Sequence, residues 1–327
     1  MVLDDLDWRL MNDWQRGLPL VSHPFEVIAD GFGVEESDII SRLKGLLTSG
    51  AISRIGATCR PNTLAASTLA AISVPEHRLE DIAALINEEE GVNHSYLRED
   101  AWNIWFVATG PTRAFVDETL ARISRRSGLQ VLDLRLIQPF NVDLGFSLDG
   151  AGTRPEPKEV QDDIVLEDGD IEIVQALSNG LKPEETPFAT LAHSMGRSEE
   201  DVLGRIRELA QAGMLSRIGL IVRHRSLGWR SNAMCVFNIP KEEITARGRA
   251  LTDVPGVTLC YERRPIEGIW PYTLYCMIHG RSRSEALDVL SFARVHAQLT
   301  GYDYKVLFST RCFKQKGALI AREGAAS

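Results

Sequence analysis

The chain has no apolar run near the roughly 20 residues that a membrane-spanning helix needs. It is poor in cysteine: Cys59, Cys235, Cys260, Cys276 and Cys312 are scattered over 327 residues, with no C-x-x-C pair. An odd, scattered set supports neither a disulfide framework nor a zinc site. No metal site is therefore expected, and a reduced, cytoplasmic setting is. An excess of positive charge is also missing, since 36 Lys and Arg stand against 45 Asp and Glu, for a net charge of −9. That balance opposes non-specific attraction to nucleic acid or to an acidic membrane, so an anionic ligand needs a local arginine cluster. Met1 to Asp13 is acidic and mixed and lacks the basic start of a secretory signal. What remains is ordinary for a soluble globular protein, with 44% hydrophobic and 25% charged residues. The length suggests two or more domains.

The chain contains one unit twice. Gly50-Ala51-Ile52-Ser53-Arg54-Ile55-Gly56 returns as Gly213-Met214-Leu215-Ser216-Arg217-Ile218-Gly219. Asp7 and Asp170 open matching amphipathic runs, and both pairings share an offset of 163 residues. Further on, Gly91-Val92-Asn93-His94-Ser95-Tyr96 answers Gly256-Val257-Thr258-Leu259-Cys260-Tyr261. The copies differ where chemistry would sit. His94 faces Leu259, and Arg223-His224-Arg225 faces Cys59-Arg60-Pro61.

Each copy opens with three helical patterns and a strand. In the first, Leu3, Leu6, Leu10 and Trp14 share a helical stripe, Pro24 to Asp30 forms a second helix, and Glu35 to Ser49 a third that stops at Gly50. Ile52 to Thr58 then alternates as a strand. In the second, Ser198 caps the third helix, which runs to Ala212, and Leu215 to Val222 is the strand. Three helices and a β-wing read as a winged helix-turn-helix. A β-α-β-β-α-β pattern follows in each copy, which is ferredoxin-like topology. The fold class is α+β, a tandem repeat of winged helix-turn-helix plus ferredoxin-like domain. Expected boundaries are 1–60 and 61–148 for the first pair, a linker over 149–164, then 165–223 and 224–327 for the second pair. The linker is rich in Gly, Pro and charge and has little to bury, and Gly324-Ala325-Ala326-Ser327 is expected to fray.

A winged helix followed by a ferredoxin-like domain resembles the Lrp/AsnC family of transcription regulators. Fold alone does not carry function. The third helices begin with Glu35-Glu36-Ser37-Asp38 and Ser198-Glu199-Glu200-Asp201. Carboxylates there suit the helix dipole but repel a phosphate backbone. Nucleic acid is therefore not expected as a partner, and a ligand-responsive DNA-binding regulator is kept as an alternative reading.

Longer strings narrow the resemblance. They are His94-Ser95-Tyr96-Leu97-Arg98-Glu99-Asp100-Ala101-Trp102-Asn103-Ile104-Trp105-Phe106, the stretch Arg223 to Met234 with Asn232-Ala233-Met234 at its end, Cys260-Tyr261-Glu262-Arg263-Arg264-Pro265, and Trp270-Pro271-Tyr272-Thr273-Leu274-Tyr275-Cys276-Met277-Ile278-His279-Gly280. These resemble the siroheme decarboxylases, in the fused two-copy form from the heme d1 pathway of denitrifying bacteria. The resemblance covers nearly the whole chain apart from the linker. It implies non-oxidative removal of two acetate carboxylates from siroheme, giving 12,18-didecarboxysiroheme and carbon dioxide. Siroheme or a related iron tetrapyrrole is then the substrate, and no separate cofactor is expected. A further alternative is a non-catalytic tetrapyrrole-binding partner subunit. The resemblance leaves open a homodimer or association with related decarboxylase subunits.

A flat apolar macrocycle rimmed by carboxylates needs aromatic walls and cationic anchors. Trp102, Trp105, Trp229, Trp270 and Tyr272 are the candidate walls. Arg98, Arg223, Arg225, Arg263 and Arg264 are the candidate carboxylate anchors, guanidinium being suited to two-point contact. Decarboxylation leaves an electron pair on the carbon next to the ring, and histidine titrates in the range suited to protonating it. His94 and His224 are the candidate catalytic residues; axial ligation of the iron ranks lower. The second copy departs from the family, which usually has histidine where Leu259 stands and asparagine where Thr273 stands. One productive cleft is therefore expected, built from His94 and His224. His279, at a strand end, reads as structural, as do Arg54 and Arg217. Lys314 and Lys316 either reach substrate or form a basic tail.

Overall fold

The computed structural model describes residues 3–142, 145, 148 and 165–321. The expected linker at 149–164 and the terminal Gly324–Ser327 lie outside the described residues. The first copy runs α1 (Asp5–Asp13), α2 (Pro24–Phe32), α3 (Glu36–Ser49), β1 (Ile52–Cys59), β2 (Ala66–Ile72), α4 (Leu79–Glu88), β3 (Val92–Arg98), β4 (Ile104–Gly110), α5 (Arg113–Ser127), β5 (Val131–Leu134) and β6 (Leu136–Asn141). The second runs α6 (Asp170–Asn179), α7 (Pro187–Ser194), α8 (Glu199–Gln211), β7 (Leu215–Val222), β8 (Ser231–Phe237), α9 (Lys241–Thr252), β9 (Val257–Arg263), β10 (Leu274–Gly280), α10 (Arg283–His296) and β11 (Tyr304–Gln315). No helix among the described residues is long and apolar enough to cross a membrane. Two compact units emerge: Met1–Leu64 with Gly145–Leu227, and Ala65–Leu144 with Gly228–Ser327. Each unit thus takes like parts from both copies.

In the helical unit the third helices bury apolar residues at helical spacing: Ile39, Ile40, Leu43 and Leu46 on α3, and Val202, Leu203, Ile206 and Leu209 on α8. Ser198 accepts the Asp201 amide, and Gly50 ends α3 in the left-handed conformation at φ 76°. The strands expected as wings pair with each other, β1 antiparallel to β7, with Gly56 opposite Gly219. This explains the repeated glycine. A Cβ on Gly56 would collide with the Leu177 carbonyl at the end of α6, and one on Gly219 with the Trp14 and Gln15 carbonyls just after α1. The Leu220 amide donates to Trp14 O at 2.8 Å, and the Leu181 amide to Ile55 O at 2.6 Å. Each copy's first helix is therefore anchored on the other copy's strand. The repeated aspartates also have a task. Asp170 is fully buried and takes two 2.6 Å bonds from Arg205 of α8. Asp7 takes one of 2.8 Å from Arg42 of α3.

The second unit is a nine-stranded sheet in the order β5-β2-β4-β3-β11-β8-β10-β9-β6. Read in two halves, each copy's fourth strand lies beside its first, third and second strands in turn, the ferredoxin-like order. The copies are joined reciprocally: the end of β11 pairs with β3, and β6 pairs with β9. Period-two alternation divides each strand between two cores. Ala70, Ile72, Phe106 and Ala108 pack under α4 and α5, and Cys235, Phe237, Cys276 and Ile278 under α9 and α10. The opposite faces meet in one shared core that includes Leu69, Trp105, Leu134, Met234, Tyr275 and Leu307. The sheet must curl for these faces to touch. Cysteines scattered in the sequence come abreast here, with Cys276 opposite both Cys235 and Cys260, all as free thiols.

Candidate active site

The inner face of the sheet carries part of the polar and aromatic set that the sequence singled out. On β3, Ser95 turns toward α4, where it bonds Asn87 at 2.6 Å. Alternation puts His94, Tyr96 and Arg98 on the other, inner face. His94 is half-buried, opposite Val107 of β4 and Gln315 of β11, with its ring centroid 6.4 Å from that of Tyr96. Leu259, Tyr261 and Arg263 take the matching places on β9. The two arginines act as a mirrored pair. Arg98 donates to Leu307 O at 2.9 Å, and Arg263 to Leu134 O at 2.7 Å. Each thus grips the fourth strand of the other copy and lies over a tyrosine, at 5.6 Å for Arg98 on Tyr96 and 4.5 Å for Arg263 on Tyr261. Burial drags Arg98 down to about 10.

The aromatic candidates separate into two groups. Trp105, Trp270 and Tyr272 are enclosed in the shared core, with ring centroids 5.2 Å apart for Trp105–Trp270 and 4.9 Å for Trp270–Tyr272. Trp270 donates to the Tyr275 hydroxyl at 2.7 Å, which satisfies its buried N–H. Trp102 and Trp229 stay half-exposed, the latter beneath Arg281 at 5.4 Å. Arg264 is exposed on the rim of an open groove of about 830 Å³ that also includes Asp133, Asn238, Ile266 and Pro271. His94 and Arg98 are not among the residues lining that groove, so the groove and the histidine-bearing face are different places.

Arg223, His224 and Arg225 belong to the helical unit. They sit where β7 gives way to a 3-10 turn over His224–Leu227, with the Arg223 amide donating to Ala51 O at 2.9 Å. The two candidate histidines are therefore carried by different compact units. In the same unit Arg54 is held down at about 10, chiefly by burial and then by Arg217. Lys314 donates to the Asn87 and Glu89 carbonyls at 2.7 and 3.1 Å, capping α4. Thr273 exchanges hydrogen bonds with Ile239 at 3.0 and 3.1 Å.

Sequence reasoning named Arg98 but missed the polar row it belongs to across five strands of the inner face: Arg98 (β3), Ser309 (β11) and Thr258 (β9) are buried, and Asn232 (β8) and His279 (β10) half-buried. Ser309 lies opposite Arg98, and Asn232 opposite His279. The signal was present, because Asn232 and His279 end two of the family strings. Among the described residues no His, Cys, Asp and Glu group is placed to hold a metal ion.

Comparison with known proteins assigns this architecture. A family model for AsnC-like ligand binding domains matches residues 64–140 and 226–314. One for siroheme decarboxylase NirDL-like HTH domains matches 7–52. The siroheme decarboxylase NirDL subunit of Paracoccus pantotrophus is 50% identical over 326 residues, covering 99% of this chain and 100% of the relative. The chain belongs to the siroheme decarboxylase family. Within that family, the siroheme decarboxylase NirD subunit of Stutzerimonas stutzeri is 45% identical over 148 residues, 45% of this chain but 97% of the relative. One copy of the repeat therefore exists elsewhere as a separate family member. A crystal structure of the siroheme decarboxylase NirDL with an iron-uroporphyrin III analogue matches 97% of this chain and 94% of that one, at 26% identity and a TM-score of 0.66.

Proposed function

We propose that this chain is a siroheme decarboxylase of heme d1 biosynthesis. It removes two acetate carboxylates from siroheme without oxidation, giving 12,18-didecarboxysiroheme and carbon dioxide. The observation that carries this reading is the 50% identity to a named siroheme decarboxylase subunit over essentially the full length of both chains.

The chemistry asks little of a cofactor. Each acetate loses carbon dioxide by cleavage of the bond between its CH2 carbon and its carboxyl carbon. The electron pair stays on the CH2 carbon and is delocalised into the macrocycle. A proton then closes the step, leaving a methyl group. No redox change occurs, and the iron arrives as part of the substrate. His94 and His224 are the proposed proton donors. Arg98, Arg223, Arg225, Arg263 and Arg264 are the proposed carboxylate anchors, with Trp102 and Trp229 offering ring surface and Trp105, Trp270 and Tyr272 backing them from the core. Carboxylates near a histidine favour its protonated form, which is the form that donates.

Both copies share one sheet through β3–β11 and β6–β9, so pairing between ferredoxin-like domains is met within the chain. The chain is proposed to work without a second type of subunit, in the cytoplasm, where its cysteines stay reduced. Anaerobic incubation of the purified chain with siroheme, followed by mass spectrometry of the tetrapyrrole, tests the reading. A product lacking two carboxylates is expected. Unchanged siroheme, together with retardation of DNA in a low-salt gel shift, would favour the regulator instead.

A further inference from the structure

Two family strings meet in the structure at residues to which the proposed chemistry gives no role, Asn232 and His279. Asn232 Nδ2 lies 2.7 Å from His279 Nε2, and His279 Nδ1 lies 2.8 Å from Thr258 Oγ1. The Thr258 hydroxyl donates onward to Met277 O at 3.1 Å. Its oxygen must therefore accept from Nδ1–H, which leaves Nε2 to accept from the Asn232 amide. This chain of bonds holds His279 as a fixed, neutral imidazole. Burial, and then the nearby Arg98 charge, oppose protonation of the ring.

The other end of the row is unsatisfied. Arg98 is 6% exposed, and among the described residues it has no acidic partner. Among the described residues its Nε has no hydrogen-bond partner, and neither has the Oγ of Ser309, which is 8% exposed and opposite it in register. A buried guanidinium without a counter-charge is costly, and an adjacent unbonded hydroxyl adds to that cost. An arriving anion would satisfy both.

The row also breaks the internal symmetry. On the mirrored side Leu136 stands opposite Arg263, and Ser67 pairs with Thr109, where this side has Ser309 opposite Arg98 and Asn232 paired with His279. His94 belongs to the same side as the row, on the inner face of β3, and its mirror is Leu259. Four residues of strand separate His94 from Arg98, roughly 13 Å.

We infer that Arg98 and Ser309 form a carboxylate subsite on the inner face of the sheet, with Asn232, His279 and Thr258 as positioning residues that hold its floor. The inference rests on the reading above, that the substrate is a tetrapyrrole rimmed with carboxylates. The subsite takes one of those carboxylates and fixes which edge of the ring lies toward His94.

The test titrates the full chain with iron-uroporphyrin III, which has eight carboxylates, and with iron-mesoporphyrin, which has two, following the Soret band. Ser309→Ala is expected to weaken iron-uroporphyrin binding about 10-fold and Arg98→Met about 100-fold, with iron-mesoporphyrin changed less than about 2-fold. His279→Leu is expected to lower the ratio of the two affinities about 5-fold, and His279→Gln, which keeps an acceptor for Asn232, to restore most of it. Should Arg98→Met fail to fold, Ser309→Ala decides the matter alone. Equal losses for both porphyrins, or no loss in Ser309→Ala, overturn the subsite. If the unaltered chain neither binds iron-uroporphyrin nor shortens siroheme, the decarboxylase reading itself has failed.

Discussion

The matched aspartates that open the two copies should differ sharply in what they contribute. Asp170 is fully buried, takes both bonds of the Arg205 fork at 2.6 Å, and accepts the Glu167 amide at 2.8 Å. Arg205 is itself only 6% exposed. Asp170→Asn keeps the shape and one oxygen but leaves that guanidinium, among the described residues, with the Val165 carbonyl at 2.6 Å and two exposed carboxylates, Glu208 at 2.6 Å and Glu167 at 3.4 Å. Breaking a buried pair from one side costs about 3–5 kcal/mol, and the retained contacts favour the lower end, about 3 kcal/mol. Asp7 is the mirrored residue, but its partner Arg42 is 30% exposed and keeps Asp4 at 2.8 Å. Asp7→Asn should therefore cost only about 1 kcal/mol. Both aspartates lie in the helical unit, so one unfolding transition reports on both. Followed by circular dichroism in urea, Asp170→Asn should lower that midpoint by about 1–3 M and Asp7→Asn by about a third as much. Equal shifts, or a larger effect at Asp7, would refute the burial argument.

Gly56→Ala and Gly219→Ala should each destabilise the helical unit by about 2–4 kcal/mol, since a methyl group at either place meets backbone that cannot swing aside; wild-type midpoints in urea would show that the helix–strand crossings are looser than described. His94→Ala and His224→Ala should each slow carbon dioxide release at least about 100-fold. Near-normal turnover in either variant removes that histidine from the mechanism. His279 is held at about 4 in the folded chain, against 6.5 when unperturbed. Its neutral form adds stability that is complete above about pH 6.5 and is lost as the pH falls toward 4, by up to about 3 kcal/mol. Urea titrations across that range should show the loss in the wild type and much less of it in His279→Gln; equal acid sensitivity in both would count against a buried neutral ring.

Much of the fold was legible because local signals agreed with the repeat. The proline at the start of α2, the Ser198 cap and the Gly50 stop each fell where the chain places them. The pairing of β1 with β7 was not legible, because a strand's partner is set by tertiary packing and each copy alone reads as a complete winged helix. The repeated glycines were the trace of that pairing, since only close backbone approach explains a glycine opposite a glycine on neighbouring strands. The arginine partners of Asp7 and Asp170 were within reach: Arg42 and Arg205 share the same offset of 163 residues. For the candidate site, the sequence supplied residue types but not their depth. Trp102 and Trp105 are three apart, yet one is half-exposed and the other enclosed, because strand alternation and curvature decide which side closes. His279 read as a strand-end histidine because its partners, Asn232 and Thr258, come from two other strands.

The most direct test of the account is to count carbon dioxide released per siroheme by the purified chain alone, without oxygen and without any other subunit. Two molecules per siroheme are expected, with none once the substrate is exhausted. A chain that binds the tetrapyrrole yet releases no carbon dioxide would contradict the account and would leave it a binding subunit in need of an active partner.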